Sequence, residues 1–125
     1  MEIILLFVLF FVKHFLADYP LQTEYMLRKS GHLYPWITPL LAHCLVHAVL
    51  TYVVLTFVVA LGMFTIPLTG LLALVLMEFV AHFFIDAWKA RLCRYSMNKP
   101  AFWISLGADQ MFHYLTYALI IAMVI

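Results

Sequence analysis

Pairs of ionisable side chains, spaced four residues apart, are the feature of this sequence that could do chemistry. Each pair is drawn from histidine and aspartate and lies in an apolar stretch. In an α-helix this spacing places both side chains on one face, with Cβ atoms about 5–6 Å apart. Imidazole and carboxylate groups together suit zinc, iron or manganese. The pairs are His14 and Asp18, His43 and His47, His82 and Asp86, and Asp109 and His113.

The chain around these pairs is too apolar for a soluble domain. Of its 125 residues, 67% are hydrophobic and 10% are charged, whereas soluble domains average roughly half apolar and about a quarter charged residues. The composition therefore predicts an integral membrane protein. The N-terminal stretch lacks a basic region and a small-x-small cleavage site, so we interpret it as a retained helix and not as a signal peptide.

Four apolar stretches approach the ~20 residues needed to cross hydrocarbon. In a bilayer they must be helices, because every backbone polar group needs a partner within its own segment. Pro20 ends the first stretch, and Pro39, Pro67 and Pro100 lie at or before the starts of the others. We expect one all-α domain over residues 1–125, an up-down bundle of four transmembrane helices at about 3–19, 39–61, 68–88 and 102–125.

Basic residues indicate the orientation of this bundle. All lysines and arginines except Lys13 lie in two loops, at about 20–38 and 89–101, and Lys13 lies toward the same end of the first helix. Positive-inside bias places both loops in the cytoplasm and both termini on the other side. No disulfide is expected between Cys44 and Cys93, which fall on the reducing side. Aromatic residues flank the same boundary, namely Tyr19, Tyr34, Trp36, Trp88 and Trp103.

Alternating helix direction should bring the four pairs to one depth. The first and third helices carry their pairs near the C-terminal end, and the second and fourth near the N-terminal end. At ~1.5 Å per residue, each pair falls within roughly two to four turns of the cytoplasmic surface. A charged group at the bilayer centre costs about 2.5–3.5 kcal/mol on insertion scales, so such groups usually mark function. We predict a single chamber of imidazoles and carboxylates that opens inward.

A bound divalent cation accounts for both the number and the types of these groups, whereas helix packing alone could use serine or glycine. A purely structural polar network and a proton relay stay open as alternatives. The donors fit one or two ions of zinc, manganese or iron, either bridged by carboxylates or with carboxylates that orient the histidines. The candidate ligands are His14, Asp18, His43, His47, His82, Asp86, Asp109 and His113.

A metal at this position could support hydrolysis, because it activates water near neutral pH and polarises a phosphoryl oxygen. The candidate catalytic carboxylates are Glu78, Asp86 and Asp109. Loop cations could hold an anionic substrate, although topology and anionic lipid headgroups explain them equally well. The candidate substrate-binding residues are Gln22, Arg28, Lys89, Arg91 and Gln110.

Four motifs, HFLADYPLQTEYM, HCLVHAVLTY, HFFIDAWK and DQMFHYL, occur in this order along the chain. In this respect the sequence resembles DUF3307, a family of small bacterial and phage membrane proteins known only as a domain of unknown function. Ala17 stands where that family usually has glycine, and His14 lies where its pattern is looser. The resemblance implies a bacterial inner-membrane location and supports the site, but it supplies no reaction. The matching positions are Asp18, Leu21, Gln22, Thr23, His47, His82, Asp86, Asp109, Gln110 and His113.

Three functions follow as hypotheses. The first is a membrane-embedded metal-dependent hydrolase that opens to the cytoplasm and acts on a phosphorylated lipid or nucleotide. A looser similarity to membrane-bound metal-dependent hydrolases ranks this above the second, a cation or proton transporter. The outer helix halves carry no ionisable group except Glu2, which also favours a one-sided pocket. The third is a membrane anchor or inhibitor that binds a partner through its basic loops. Association into a homo-oligomer stays open, and no nucleic-acid polymer is expected as a partner.

Overall fold

The computed structural model describes residues 1–31 and 35–125, and within these ranges it is entirely helical. His32 and Tyr34, for which the sequence suggested a loop position and a place in the aromatic belt, lie outside the described residues. The all-α fold class is confirmed. The helices are α1 (Glu2–Asp18), α2 (Glu24–Leu27), a 3-10 helix (Arg28–Ser30), α3 (Ile37–Ala60), α4 (Leu68–Arg91) and α5 (Pro100–Val124).

Proline and glycine set most of the helix ends. Pro67 immediately precedes α4 and Pro100 is the first residue of α5. A backbone N–H at these positions has no partner within the helix, so proline costs no hydrogen bond there. Pro39 falls in the first turn of α3 for the same reason, so that helix starts two residues earlier than the sequence suggested. Gly62 ends α3 in the left-handed region at φ 70°, with its N–H donating to the carbonyl of Val59.

The first polar loop is more ordered than a plain connection. Thr23 caps α2 by accepting a hydrogen bond from the N–H of Met26, and the 3-10 helix follows directly. Arg91, at the end of α4, donates to the carbonyl of Gly31 at 3.0 Å and lies over the Trp36 ring at 5.0 Å. This contact explains why α4 extends past Trp88, the end expected from the sequence, and it ties the loop to the end of the bundle.

The four long helices close into a ring, in which α3 packs against α1 and α4, and α5 packs against α4 and α1. A short turn joins α3 to α4, so these two helices run antiparallel. Apolar side chains fill the half of the bundle that contains both chain termini. This core consists of Leu6, Phe10, Val54, Leu55, Val58, Leu71, Leu74, Tyr117, Ile120 and Ile121.

Two helices, α3 and α4, are long and apolar enough to cross a membrane, whereas four were predicted. α1 has only 17 residues, and Asp109, Gln110 and His113 in α5 reduce the hydropathy of that helix. The outward faces of all four long helices are nevertheless apolar, as an interaction surface for lipid would be. Together with α3 and α4, these faces indicate membrane association. Representative exposed residues are Val8, Phe15, Val49, Leu76, Phe84 and Leu115.

Candidate metal centre

The eight predicted ligands meet in one layer of the bundle, at the end opposite the apolar core. Each long helix contributes one pair, because the four-residue spacing turns both members of a pair toward the bundle axis. All of these side chains are buried except Asp18, which is partly exposed at the end of α1. The sequence-predicted set is therefore a single spatial cluster, and we call it the His/Asp cluster.

His82 lies at the centre of the cluster. Its ring centroid is 3.8 Å from that of His47, 4.2 Å from that of His113 and 5.3 Å from that of His43. The ring of His14 is farther away, at 6.3 Å. Imidazoles from α3, α4 and α5 thus approach each other at distances that suit ligands of a shared cation.

Two carboxylates connect the imidazoles. Oδ1 of Asp18 lies 3.0 Å from Nε2 of His47 and 3.4 Å from Nε2 of His43, and its Oδ2 lies 3.1 Å from Nε2 of His14.

Asp86 makes the matching contacts on the opposite side. Its Oδ1 lies 3.2 Å from Nε2 of His113 and 3.6 Å from Nε2 of His82, and its Oδ2 lies 3.5 Å from Nε2 of His43. Lys29 donates to the same Oδ2 at 2.5 Å. The two aspartates therefore hold the histidines from either side, with His43 within reach of both.

Two ligand triads can be formed from this arrangement, and His82 belongs to both of them. One triad is His43, His47 and His82, and the other is His82, Asp86 and His113; within each, the potential ligand atoms lie within 4.8 Å of one another. Tetrahedral or octahedral transition-metal sites are built from such mixed donors. The buried cluster could therefore hold a metal ion.

Buried nitrogen atoms without hydrogen-bond partners support that interpretation. Neither ring nitrogen of His82 has a hydrogen-bond partner among the described residues, and the same is true of Nδ1 in His43 and His47. An unsatisfied buried polar group costs about 1–3 kcal/mol, and native proteins contain few of them. A cation bound by the imidazole lone pairs would remove this cost.

Asp109 lies at the edge of the cluster. Its Oδ1 is 3.7 Å from Nε2 of His113 and has no hydrogen-bond partner among the described residues, while its Oδ2 accepts a hydrogen bond from the side-chain amide of Gln110 at 3.2 Å. Asp109 also faces the cavity described below. It is therefore the cluster carboxylate best placed to exchange a proton with a bound molecule.

A second polar layer lies one helical turn deeper. The ammonium of Lys13 and the hydroxyl of Thr51 both donate to the carboxylate of Glu78, and all three side chains are buried. Lys13 also lies over the Tyr117 ring at 4.5 Å. Sequence reasoning grouped Lys13 with the boundary cations, and this assignment is corrected, because the residue lies inside the bundle.

Glu78 is engaged by that layer and does not line the cavity. Its Oε1 lies 4.0 Å from Nδ1 of His47. The proposed catalytic role of Glu78 stays a prediction, and its position suits a group that holds His47 and neutralises Lys13. Tyr117 acts similarly on His14, since its hydroxyl lies 2.7 Å from Nδ1 of that ring.

A cavity of about 530 Å³ leads from the surface to the cluster, and Asp18, Asp86 and Asp109 form part of its wall. Three of the predicted substrate-binding residues line it, namely Gln22, Lys89 and Gln110, and so do Lys29 and Arg94.

Arg28 and Arg91 do not line this cavity, and their predicted role in substrate binding stays a prediction. Arg28 instead lies over the Tyr25 ring at 6.0 Å, and Arg91 is held at Gly31. The cations that line the cavity from the loops are Lys29 and Arg94. The loop conformation decides which cation faces the cavity, and helical spacing does not predict that conformation.

Lys13, Lys29, Thr51 and Tyr117 are polar contacts that sequence reasoning missed. For two of them a signal was present, since Thr51 lies four residues after His47 and Tyr117 four residues after His113. Applying the four-residue spacing once more, beyond His47 and beyond His113, identifies both residues as members of the same helix faces. Lys13 lies on the same buried face of α1 as Leu6 and Phe10, and a helical plot of this segment places the three residues together.

The comparisons with known proteins agree with this description. The sequence model of the family described as "Protein of unknown function (DUF3307)" matches residues 6–125. No curated protein and no solved structure matches the chain. The match covers α3, α4 and α5, α1 from Leu6 onward, and every member of the His/Asp cluster. The chain therefore belongs to the DUF3307 family, as its four motifs suggested.

Proposed function

We propose that this protein is a membrane-embedded, metal-dependent hydrolase whose His/Asp cluster opens to the cytoplasm of a bacterial cell. In this proposal α1, α3, α4 and α5 all cross the inner membrane, and both termini lie on the non-cytoplasmic side. The apolar outward faces of the four helices support the spans. The location of Lys29, Lys89 and Arg94 at the cluster end supports the orientation.

The observation that carries the proposal is the state of His82. Both of its ring nitrogens are buried without a hydrogen-bond partner among the described residues, at the point where two ligand triads overlap. A polar network that served only packing would be expected to satisfy its central member. A divalent ion of zinc, manganese or iron would bind the lone pair of one of its two ring nitrogens, and a second ion in the other triad is a variant of the same proposal.

The cavity supports hydrolysis as the reaction. A divalent metal would supply an activated water molecule near neutral pH and polarise a phosphoryl oxygen. Asp86 would help to hold the metal, and Asp109, which lines the cavity, would accept a proton there. Lys89, Arg94 and the amides of Gln22 and Gln110 would bind an anionic group, and a phosphorylated lipid or nucleotide fits this lining.

The one-sided access of the cluster favours an enzyme over a transporter. Below the Lys13–Glu78 layer, the bundle is filled by buried apolar side chains such as Leu6, Leu55 and Ile120. An ion crossing the protein would have to pass this core without polar groups along it, which is unfavourable in a low dielectric. The residues that line the cavity all lie at the cluster end of the bundle.

Phosphate release by the purified full chain, reconstituted in vesicles, tests the proposal. We expect activity that a chelator abolishes and that added zinc, manganese or iron restores. A His82→Gln variant should lose it, while Phe84→Leu, on the exposed face of the same helix, should retain it. Activity that survives chelation, or that His82→Gln leaves intact, would contradict the proposal.

A further inference from the structure

We propose that the phosphate group acted on here belongs to a membrane lipid, and that the lipid reaches the His/Asp cluster from the side, between α1 and α5. This inference rests on the proposed function and specifies its substrate. It follows from the position of the cavity in the bundle, from the chemistry of its two walls, and from an apolar strip that continues from it.

The cavity lies at the cluster ends of α1, α4 and α5, and its wall includes both sides of the seam between α1 and α5. Asp18, Tyr19 and Gln22 at the end of α1 line one side of it, and Leu106 and Gln110 near the start of α5 line the other.

The contacts that close the same seam lie deeper in the bundle. The Phe10 and Tyr117 rings stack there at 5.1 Å, and the Phe11 and Tyr114 rings meet edge to face at 5.1 Å. The two helices are therefore in contact as far as His14 and His113, whose rings lie 5.1 Å apart, and the cavity lies between their ends beyond that point.

The 3-10 helix and the residues that follow α4 line the cavity at its loop end. Lys29 and Ser30 of the 3-10 helix line it from one direction, and Cys93 and Tyr95, after α4, line it from the other. Lys29 reaches down to Asp86 at 2.5 Å. Lys29, Ser30, Cys93 and Tyr95 therefore form the loop end of the cavity, and the seam between α1 and α5 is the route that we infer for a lipid.

The lining of the cavity combines cations with apolar side chains, which matches the phosphate and the acyl part of an amphiphilic lipid. The ammonium of Lys89 is held by neutral partners, the Ser105 hydroxyl at 3.2 Å and the Phe102 ring at 4.8 Å, so its charge is available to an anion. Lys89, Lys29 and Arg94 provide cations for a phosphate, while Phe102 and Leu106 provide apolar surface. A terminal phosphate with two negative charges suits these three cations better than a phosphodiester with one negative charge does.

An exposed aromatic strip continues from the cavity along the seam. Tyr19, in the cavity wall, stacks on Phe15 at 5.1 Å, and Phe11 and Tyr114 lie further along the same side of α1 and α5. These rings are 41–70% exposed, which suits a surface for acyl chains. With the phosphate among the cations, the chains of a lipid would lie against this strip.

The reaction inferred is hydrolysis of a lipid phosphomonoester. The oxygen of water forms a new bond to phosphorus, and the bond between phosphorus and the lipid oxygen breaks. One proton of the water passes through Asp109 to the lipid oxygen, which keeps the electron pair of the broken bond and leaves as an alcohol. Inorganic phosphate is the second product, and no oxidant or other co-reactant is needed.

A comparison of two substrates tests this inference in the metal-loaded full chain. The probes are phosphatidic acid in phosphatidylcholine vesicles and glycerol phosphate in solution, which share a phosphomonoester. We expect phosphate release from the lipid to be at least about tenfold more efficient, because apolar contacts add binding energy. Preferred hydrolysis of glycerol phosphate would overturn the lipid inference and leave the hydrolase proposal standing. Release from neither probe would overturn the lipid inference, and the hydrolase proposal would then be decided with a phosphorylated nucleotide as the probe.

Cavity variants provide the second arm. Leu106→Trp should block the seam, and Lys89→Gln should lower lipid hydrolysis about tenfold through the loss of a charged contact. Lys99→Gln is the matched control, because it removes the same charge from an exposed lysine at the same end of the bundle, outside the cavity wall. Metal content, which both cavity variants should keep, identifies a variant that has failed to fold. Equal losses in Lys89→Gln and Lys99→Gln would contradict a binding role for the cavity.

Discussion

The rings of His82 and His47 lie 3.8 Å apart between centroids, and the Nδ1 atoms of both are buried without a hydrogen-bond partner among the described residues. Two neutral imidazoles gain little from such proximity, and two protonated ones would repel each other. A shared cation, held jointly by residues of α3 and α4, gives the contact a physical reason. The predictions below follow from that interpretation.

The buried ion pair of Lys13 and Glu78 should support the bundle. In Lys13→Met the carboxylate of Glu78 loses its counter-charge, and we expect a destabilisation of about 3–5 kcal/mol, as for other broken buried pairs. Thermal unfolding in detergent measures this effect. The double variant Lys13→Met, Glu78→Leu should recover most of the loss, whereas a double variant as unstable as the single one would contradict the prediction.

Tyr117 should tune metal binding through His14. In Tyr117→Phe the hydroxyl that lies 2.7 Å from Nδ1 of His14 is lost, and we expect about tenfold weaker metal affinity, as for other groups that orient ligands. Competition with a chelator gives the affinity. Tyr114→Phe is the control, since the Tyr114 hydroxyl donates to the side-chain oxygen of Gln110 at 3.5 Å rather than to a cluster imidazole. The prediction fails if both variants bind metal as the parent does.

Lys29 should compete with the metal for Asp86. Its ammonium donates to Oδ2 of Asp86 at 2.5 Å, close to the second triad, and a nearby positive charge opposes a bound cation. We expect Lys29→Met to bind metal several-fold more tightly than the parent. The exposed Lys99, changed to Met, controls for net charge. An unchanged or weaker affinity in Lys29→Met would show that Lys29 supports the site.

The orientation of the bundle can be tested by thiol labelling of intact cells. In a Cys93→Ser background, Thr65→Cys lies in the turn between α3 and α4, and Lys99→Cys lies just before α5; both positions are exposed. An impermeant reagent should label Thr65→Cys in intact cells and Lys99→Cys only after permeabilisation, while the buried Cys44 stays unlabelled. The reverse pattern would invert the proposed orientation.

The sequence predicted the members of the His/Asp cluster well, for a specific reason. The spacing of four residues fixes which side chains share a helix face, and alternating helix direction fixes their depth, so pairs such as His82 and Asp86 needed no other information. The four predicted spans are a different case. Apolar composition suggested them, but α1 is short, and the polar residues of α5 turn inward.

The remaining contacts depend on features that helical spacing does not describe. The choice of Lys29 and Arg94 over Arg28 and Arg91 as cavity residues follows from the 3-10 helix and from the contact at Gly31. The burial of Lys13 follows from its pairing with a residue on another helix. Long-range contacts of this kind appear only once the helices are packed.

Elemental analysis of the purified full chain tests the central claim most directly. We predict near-stoichiometric zinc, manganese or iron in the parent protein and in Phe84→Leu, and its loss in His82→Ala, Asp86→Ala. Circular dichroism would verify that the double variant stays helical. A parent protein that is folded and free of transition metal, even after exposure to all three ions, would contradict the account.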